Sequence, residues 1–153
     1  MTSDRLASPK PPQTPELLIL SRKKAELYEP AGREACISIT DPDDDRLPAL
    51  SSTFVAILRV AFSDIDESTA DPSEILFNEG HARQVTDFVR HLTNVDRVVV
   101  HCMAGQSRSP GIALGLCELF SWKAGDLEER YPFWNPRVRS ELVRIGRQTL
   151  SRT

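Results

Sequence analysis

The chain has 153 residues, 40% of them hydrophobic and 27% charged, with a formal net charge of −3. That balance is globular, long enough to bury a core as one domain, and it excludes the low-hydropathy profile of a disordered chain. The mild negative charge gives no general attraction to nucleic acid or an anionic membrane, and no apolar run approaches the ~20 residues of a spanning helix. Cys36, Cys102 and Cys117 are odd in number and widely spaced, which points away from a disulfide framework or a zinc site. No apolar segment follows Met1-Thr2-Ser3-Asp4-Arg5, so a cytoplasmic, reducing setting is expected, with neither metal nor cofactor.

In chain order, residues 1–15 are polar and proline-rich (Pro9, Pro11, Pro12, Pro15) and read as a flexible arm, leaving 16–153 as a single domain. Glu16–Leu20, Ala35–Ile39 and Phe54–Val60 are apolar or β-branched runs and predict strands. Asp41-Pro42-Asp43-Asp44-Asp45 between the last two is turn chemistry with an acidic run, ordinarily a solvated loop. From Asn78, a candidate N-cap, the period changes: Ala82, Val85, Phe88, Val89 and Leu92 form one helical stripe. His81 and His91, ten residues apart, fall on different faces of that helix and do not make a metal pair. Arg97–His101 predicts another strand, and Pro110–Phe120 a largely buried helix. Trp122, Phe133 and Trp134 are expected to cover the core, and Asn135-Pro136 starts a last helix carrying Val138, Leu142, Ile145 and Gly146. Strands interleaved with helices predict an α/β domain with a mostly parallel central sheet flanked by helices.

The chemistry concentrates between the fourth strand and the helix after it. His101-Cys102-Met103-Ala104-Gly105-Gln106-Ser107-Arg108-Ser109 places a thiol at the start of a tight loop and a guanidinium at its end. A strand–loop–helix of this kind turns backbone N–H groups inward as an oxyanion nest, reinforced by the positive end of the helix. The same field favours a thiolate, which makes Cys102 a nucleophile. Arg108 offers a planar fork for two phosphate oxygens, Gly105 supplies the conformational freedom the turn needs, and Ser109 is placed to bond the sulfur. A nucleophile under a phosphate cradle implies phosphoryl transfer to cysteine. In open α/β sheets, sites form beyond the carboxyl ends of the strands, so with parallel strands Asp64 and the 41–45 run share an edge with Cys102.

This nine-residue segment resembles the signature loop of the cysteine-based protein tyrosine phosphatases, most nearly the small dual-specificity branch. Leu58-Arg59-Val60-Ala61-Phe62-Ser63-Asp64 is similar to that branch's strand and acid loop, so the resemblance covers roughly residues 35–120. Low-molecular-weight phosphatases and arsenate reductases share the cysteine–arginine spacing, but near the N-terminus, whereas Cys102 lies two-thirds along this chain. The resemblance implies a protein phosphatase acting through a phosphocysteine, on phosphotyrosine and also phosphoserine or phosphothreonine. It implies Cys102 as nucleophile, Arg108 and the Met103, Ala104, Gly105, Gln106 and Ser107 amides as phosphate ligands, and Asp64 as general acid. Asp66 stays as the rival acid, Ser109 would ease thiolate departure, and His101 would order the loop. Gln106 departs from the branched apolar residue common at its position. The absence of Lys or Arg from Met103–Ser107 is unlike phosphoinositide-type loops and favours a phosphorylated protein or peptide as partner, with the protein acting as a monomer. Two other readings stay open: an arsenate-reductase-like or rhodanese-like thiol enzyme, which needs a second thiol such as Cys36 or Cys117, and a phosphopeptide-binding module with weak turnover.

Overall fold

The computed structural model describes residues 14–66 and 71–152. The proline-rich arm, apart from Thr14 and Pro15, lies outside the described residues. The elements run β1 (Glu16–Ser21), α1 (Arg22–Leu27), β2 (Glu34–Thr40), β3 (Ala56–Ala61), α2 (Glu79–Arg90), β4 (Arg97–Cys102), α3 (Arg108–Phe120), α4 (Leu127–Arg130) and α5 (Pro136–Ser151). The four strands form one sheet in the order β1-β4-β2-β3, every neighbouring pair parallel. This is the α/β architecture with a parallel sheet and flanking helices that the alternating pattern predicts.

Side-chain alternation in β4 divides the core. Val98, Val100 and Cys102 join Ile37, Ile39, Val60, Val85, Leu116 and Leu142 in the cluster that α2, α3 and α5 cover. Val99 turns to the other face, against Cys36 and Phe54. Fully burying a side chain such as Val100 contributes about 1.5–3 kcal/mol. Because both faces of β4 are covered, its sequence reads as a continuous apolar run.

α2 begins where Asn78 was expected to cap it: the Asn78 side chain accepts from the Gly80 and His81 amides, and the His81 ring accepts from the Asn78 N–H. α3 starts at Arg108, ahead of the expected Pro110, so the proline occupies its first turn. α1 and α4 were not anticipated from the sequence. Each is short and buries one residue, Ala25 or Leu127, so neither has an apolar period to read. β3 starts after Phe54 and Val55; Phe54 packs on Cys36 from the preceding loop. Phe133 departs from the expected core role: it is 76% exposed on the turn before α5, while Trp122 and Trp134 pack against the core.

Two features of α3 and α5 set up the site. Gly111 lets the helices approach closely, since a Cβ there would lie 2.9 Å from the Asn135 carbonyl oxygen. Asn135 caps α5 by accepting from Val138 N–H, and its own N–H donates to the Ser107 carbonyl. The start of α5 is thereby tied to the start of α3.

Candidate active site

The parallel sheet brings four strand ends to one edge. Ser21 pairs with Cys102, Ser38 with His101, and Thr40 with Ala61. Arg22, Asp41, Phe62–Asp64 and the 103–107 loop therefore follow directly onto a common rim.

Cys102 ends β4 and is buried, 3% exposed. Its Sγ accepts the Gly105 N–H at 3.2 Å and lies 3.2 Å from Ser109 Oγ. Gly105 has φ +71°, and a Cβ there would stand 2.9 Å from backbone atoms of Leu20 and Ser21. Any side chain at 105 would thus meet both a disfavoured backbone region and rigid main chain. The Met103, Ala104 and Gln106 side chains point outward, and the amides of Ala104, Gln106 and Ser107 donate to no acceptor among the described residues. Unpaired donors of this kind at a helix N-terminus form an anion nest. Gln106 is exposed, so its departure from an apolar residue at that position does not disturb packing.

His101 is wholly buried beneath the loop. Its Nδ1 bonds the Cys102 carbonyl at 3.2 Å, so that nitrogen carries the proton, and Nε2 accepts from Ser38 Oγ at 2.6 Å. Burial pushes the imidazole pKa down, in keeping with a neutral ring.

Arg108, 5% exposed, opens α3. Nη1 donates to Asp41 Oδ1 at 2.8 Å and to the Phe62 carbonyl at 2.9 Å, while Nε is buried without a partner. The acidic 41–45 run, expected as a solvated loop, is therefore partly joined to the site. Asp44 accepts from the Asp41 N–H and pairs with Arg22, whose own N–H donates to the Met103 carbonyl.

Asp64 lies at the loop and Asp66 does not. Asp64 Oδ1 accepts from Ser107 Oγ at 2.7 Å and from Asn135 Nδ2 at 3.0 Å. Asn135 Nδ2 also donates to the Ile65 carbonyl, clasping the acid loop from both sides. Asp66 is exposed and lines a separate surface hollow with Pro136, Arg137 and Ser140. Asp41, Asp43, Asp64 and Glu74 line a concavity beside the cradle, so its rim is acidic.

Neither of the other cysteines approaches Cys102. Cys36 is in register with Val99, three residues short of Cys102 and on the opposite face, about 10 Å along the strand. Cys117 lies eight positions along α3 from Ser109, the residue whose Oγ meets Cys102 Sγ, ~12 Å along the axis. Both exceed the ~7 Å Cα separation a disulfide tolerates. Burial pushes Cys36 up to about 12 and Cys117 to about 11, as for inert core thiols. His81 stacks on Phe77, meets Phe62 at a tilt and caps α2, and His91 bonds the Asp87 carbonyl; each has a local structural partner.

Two positions outside the loop escaped sequence reading, and a third was placed on the right edge without being singled out. Asn135 signalled only a helix start and Ser38 only a strand, while Asp41 belonged to an acidic run expected beside Cys102 with no partner assigned. Each joins the site through the parallel register or the α3–α5 contact, which no local spacing reveals.

No protein-family model and no curated protein matches the chain. Solved structures do. A single-residue variant of human DUSP28 superposes with a TM-score of 0.56 at 20% identity, covering 94% of this chain and 99% of that one. Unsubstituted human DUSP28 gives 0.51 at 18% identity, over 91% and 96%. PTPMT1 gives 0.52 at 16% identity, over 90% and 93%. Near end-to-end superposition, with a parallel sheet delivering the Cys102 loop to its carboxyl edge, shows that the chain has the fold of the small dual-specificity phosphatases.

Proposed function

We propose that this protein is a cysteine-dependent phosphatase that hydrolyses phosphate monoesters on phosphorylated proteins through a phosphocysteine. The observation that carries this reading is the single constellation of Cys102 Sγ, the Gly105 amide, Ser109 Oγ and buried Arg108 at one strand–helix junction, with Asp64 hydrogen-bonded to the same loop.

The reaction has two displacements. Cys102 thiolate attacks phosphorus in line, forming the S–P bond as the P–O bond to the leaving group breaks. The loop amides and the Arg108 guanidinium hold the non-bridging oxygens, where preorganised donors supply the largest stabilisation. Asp64 gives its proton to the departing oxygen. Its Oδ1 is occupied by Ser107 and Asn135, which leaves Oδ2 to carry that proton. Asp64 then takes a proton from water as the water oxygen attacks phosphorus, and the S–P bond breaks. The Ser109 hydroxyl donates to the returning thiolate, and His101 with Ser38 holds the loop from below.

The acidic rim of Asp41, Asp43 and Glu74 repels polyanionic inositol phosphates and favours a phosphorylated side chain. A small-molecule thiol enzyme would need a resolving thiol, and the placement of Cys36 and Cys117 argues against either serving. The test is turnover of p-nitrophenyl phosphate, phosphotyrosine and phosphothreonine peptides, and phosphoinositide vesicles by wild type and Cys102→Ser. The expected result is peptide turnover well above that on vesicles, abolished in the variant, which still binds tungstate. Faster release from vesicles would overturn the substrate class, and undiminished turnover by Cys102→Ser would overturn the mechanism.

A further inference from the structure

The segment that joins β3 to α2 carries Asp64, and three rings close it at its base. Phe62 and Phe77, near its two ends, are wholly buried and meet edge to face with ring centroids 4.9 Å apart. His81, the third residue of α2, stacks on Phe77 at 5.7 Å and meets Phe62 at a tilt at 5.4 Å. The cap fixes the tautomer: Nδ1 accepts the Asn78 N–H at 3.0 Å, so the ring proton sits on Nε2. Nε2–H is then a donor, and the acceptor facing it is the backbone carbonyl of Ala61, the last residue of β3 and three residues before Asp64.

Resting on the phosphatase reading above, we infer that His81 is a positioning residue for the general acid: its Nε2–H holds the Ala61 carbonyl and so sets the direction in which the chain leaves β3 towards Asp64. His81 touches no reacting atom. Ser107 and Asn135 grip Asp64 at its carboxylate, whereas His81 grips the base of its loop. Between the two grips, the Ser63 N–H donates to the Ile75 carbonyl at 2.7 Å and the Ile75 N–H to Ser63 Oγ at 2.9 Å, which ties the outgoing and returning chain together. A ring that served only to cap α2 would affect stability without changing how the rate depends on the leaving group.

The experiment separates the two ring nitrogens. In His81→Asn the side-chain oxygen stands near the place of Nδ1, so the cap is kept and the donor to Ala61 is lost; in His81→Gln a donor reaches the place of Nε2. The readout is kcat/KM on phenyl phosphate, whose leaving group needs the proton, against p-nitrophenyl phosphate, whose leaving group does not. A neutral hydrogen bond shifts an equilibrium by about 3–10-fold. His81→Asn is expected to lose that factor on phenyl phosphate and to stay within about twofold on p-nitrophenyl phosphate. His81→Gln should fall between it and wild type, and exposed His91→Gln should match wild type on both esters. All His81 variants lose the ring contacts and should melt lower, so stability does not decide. An equal loss on both esters, no loss in His81→Asn, or a loss in His81→Gln as large as in His81→Asn overturns this inference alone. A wild type that hydrolyses neither ester overturns the phosphatase reading and this inference together. Should His81→Asn fail to fold, ¹⁵N NMR of the wild-type imidazole decides: the Nε2–H tautomer is expected, and the Nδ1–H tautomer overturns the inference.

Discussion

Replacing Asp64 by Asn separates the general acid from its structural role. The substitution is nearly isosteric, and the amide oxygen still accepts from Ser107 Oγ and Asn135 Nδ2, which hold Oδ1 at 2.7 and 3.0 Å. What changes is the second position, where an amide nitrogen replaces the oxygen that carries the transferable proton. General acid catalysis contributes about 10²–10⁴-fold, equivalent to ~2.7–5.4 kcal/mol of barrier at 1.36 kcal/mol per decade. The full loss is expected on an alkyl or unsubstituted phenyl phosphate, whose leaving oxygen needs the proton. On p-nitrophenyl phosphate, whose leaving group is a stable anion, the loss should be far smaller. The assay is kcat/KM across a leaving-group series, because that parameter covers every step through phosphocysteine formation. Asp64→Asn should show a much steeper dependence on leaving-group basicity than wild type, at an unchanged melting temperature. Asp66→Asn, on the hollow beside Pro136 and Arg137, should follow wild type to within about twofold, as surface substitutions do. The assignment is refuted if Asp66→Asn steepens the dependence while Asp64→Asn leaves it unchanged.

Gly105→Ala places a Cβ 2.9 Å from Leu20 and Ser21 main chain at φ +71°. The left-handed conformation alone costs ~1–2 kcal/mol, and displacement of the amide that faces Cys102 should lower kcat/KM by about 10²–10³-fold; near-wild-type kinetics would contradict the cradle geometry. Folding stability should also depend on pH through His81 and His101, whose pKa values burial pushes down. The unfolded chain then binds more protons than the native one, so the stabilising difference is fully present above about pH 6.5 and is lost as pH falls towards the native-state values. Urea melts from pH 8 to pH 5 read this directly, and a midpoint that rises on acidification across that window would contradict it.

The Cys102 loop was legible because its chemistry is contiguous: thiol, glycine, arginine and serine all fall within one strand–loop–helix, and each has a local physical requirement. The four strands and the helices α2, α3 and α5 were legible from apolar runs and periods, which are likewise local signals. Asp64 was legible only in part. Its position after β3 put it on the correct edge, but the choice over Asp66 depends on Ser107 and Asn135, which approach from another part of the chain. The 41–45 run was placed on the Cys102 edge, but the contact of Asp41 with Arg108 was not legible, since its partner lies 67 residues away and is reached only through the parallel β2–β4 pairing. α1 and α4 carry too few buried residues for a period, and Phe133 shows that an aromatic residue in a turn need not be core. In each case the missing information is tertiary register rather than local propensity.

The most direct test of the account is to trap the covalent intermediate. Wild-type protein mixed with p-nitrophenyl phosphate, quenched in acid within one turnover and digested, should yield a Cys102-containing peptide heavier by one phosphoryl group. Cys102→Ser treated identically should yield none. Burst release of p-nitrophenol with no phosphoryl adduct on Cys102, or the same adduct on another residue, would contradict a phosphocysteine mechanism at this loop.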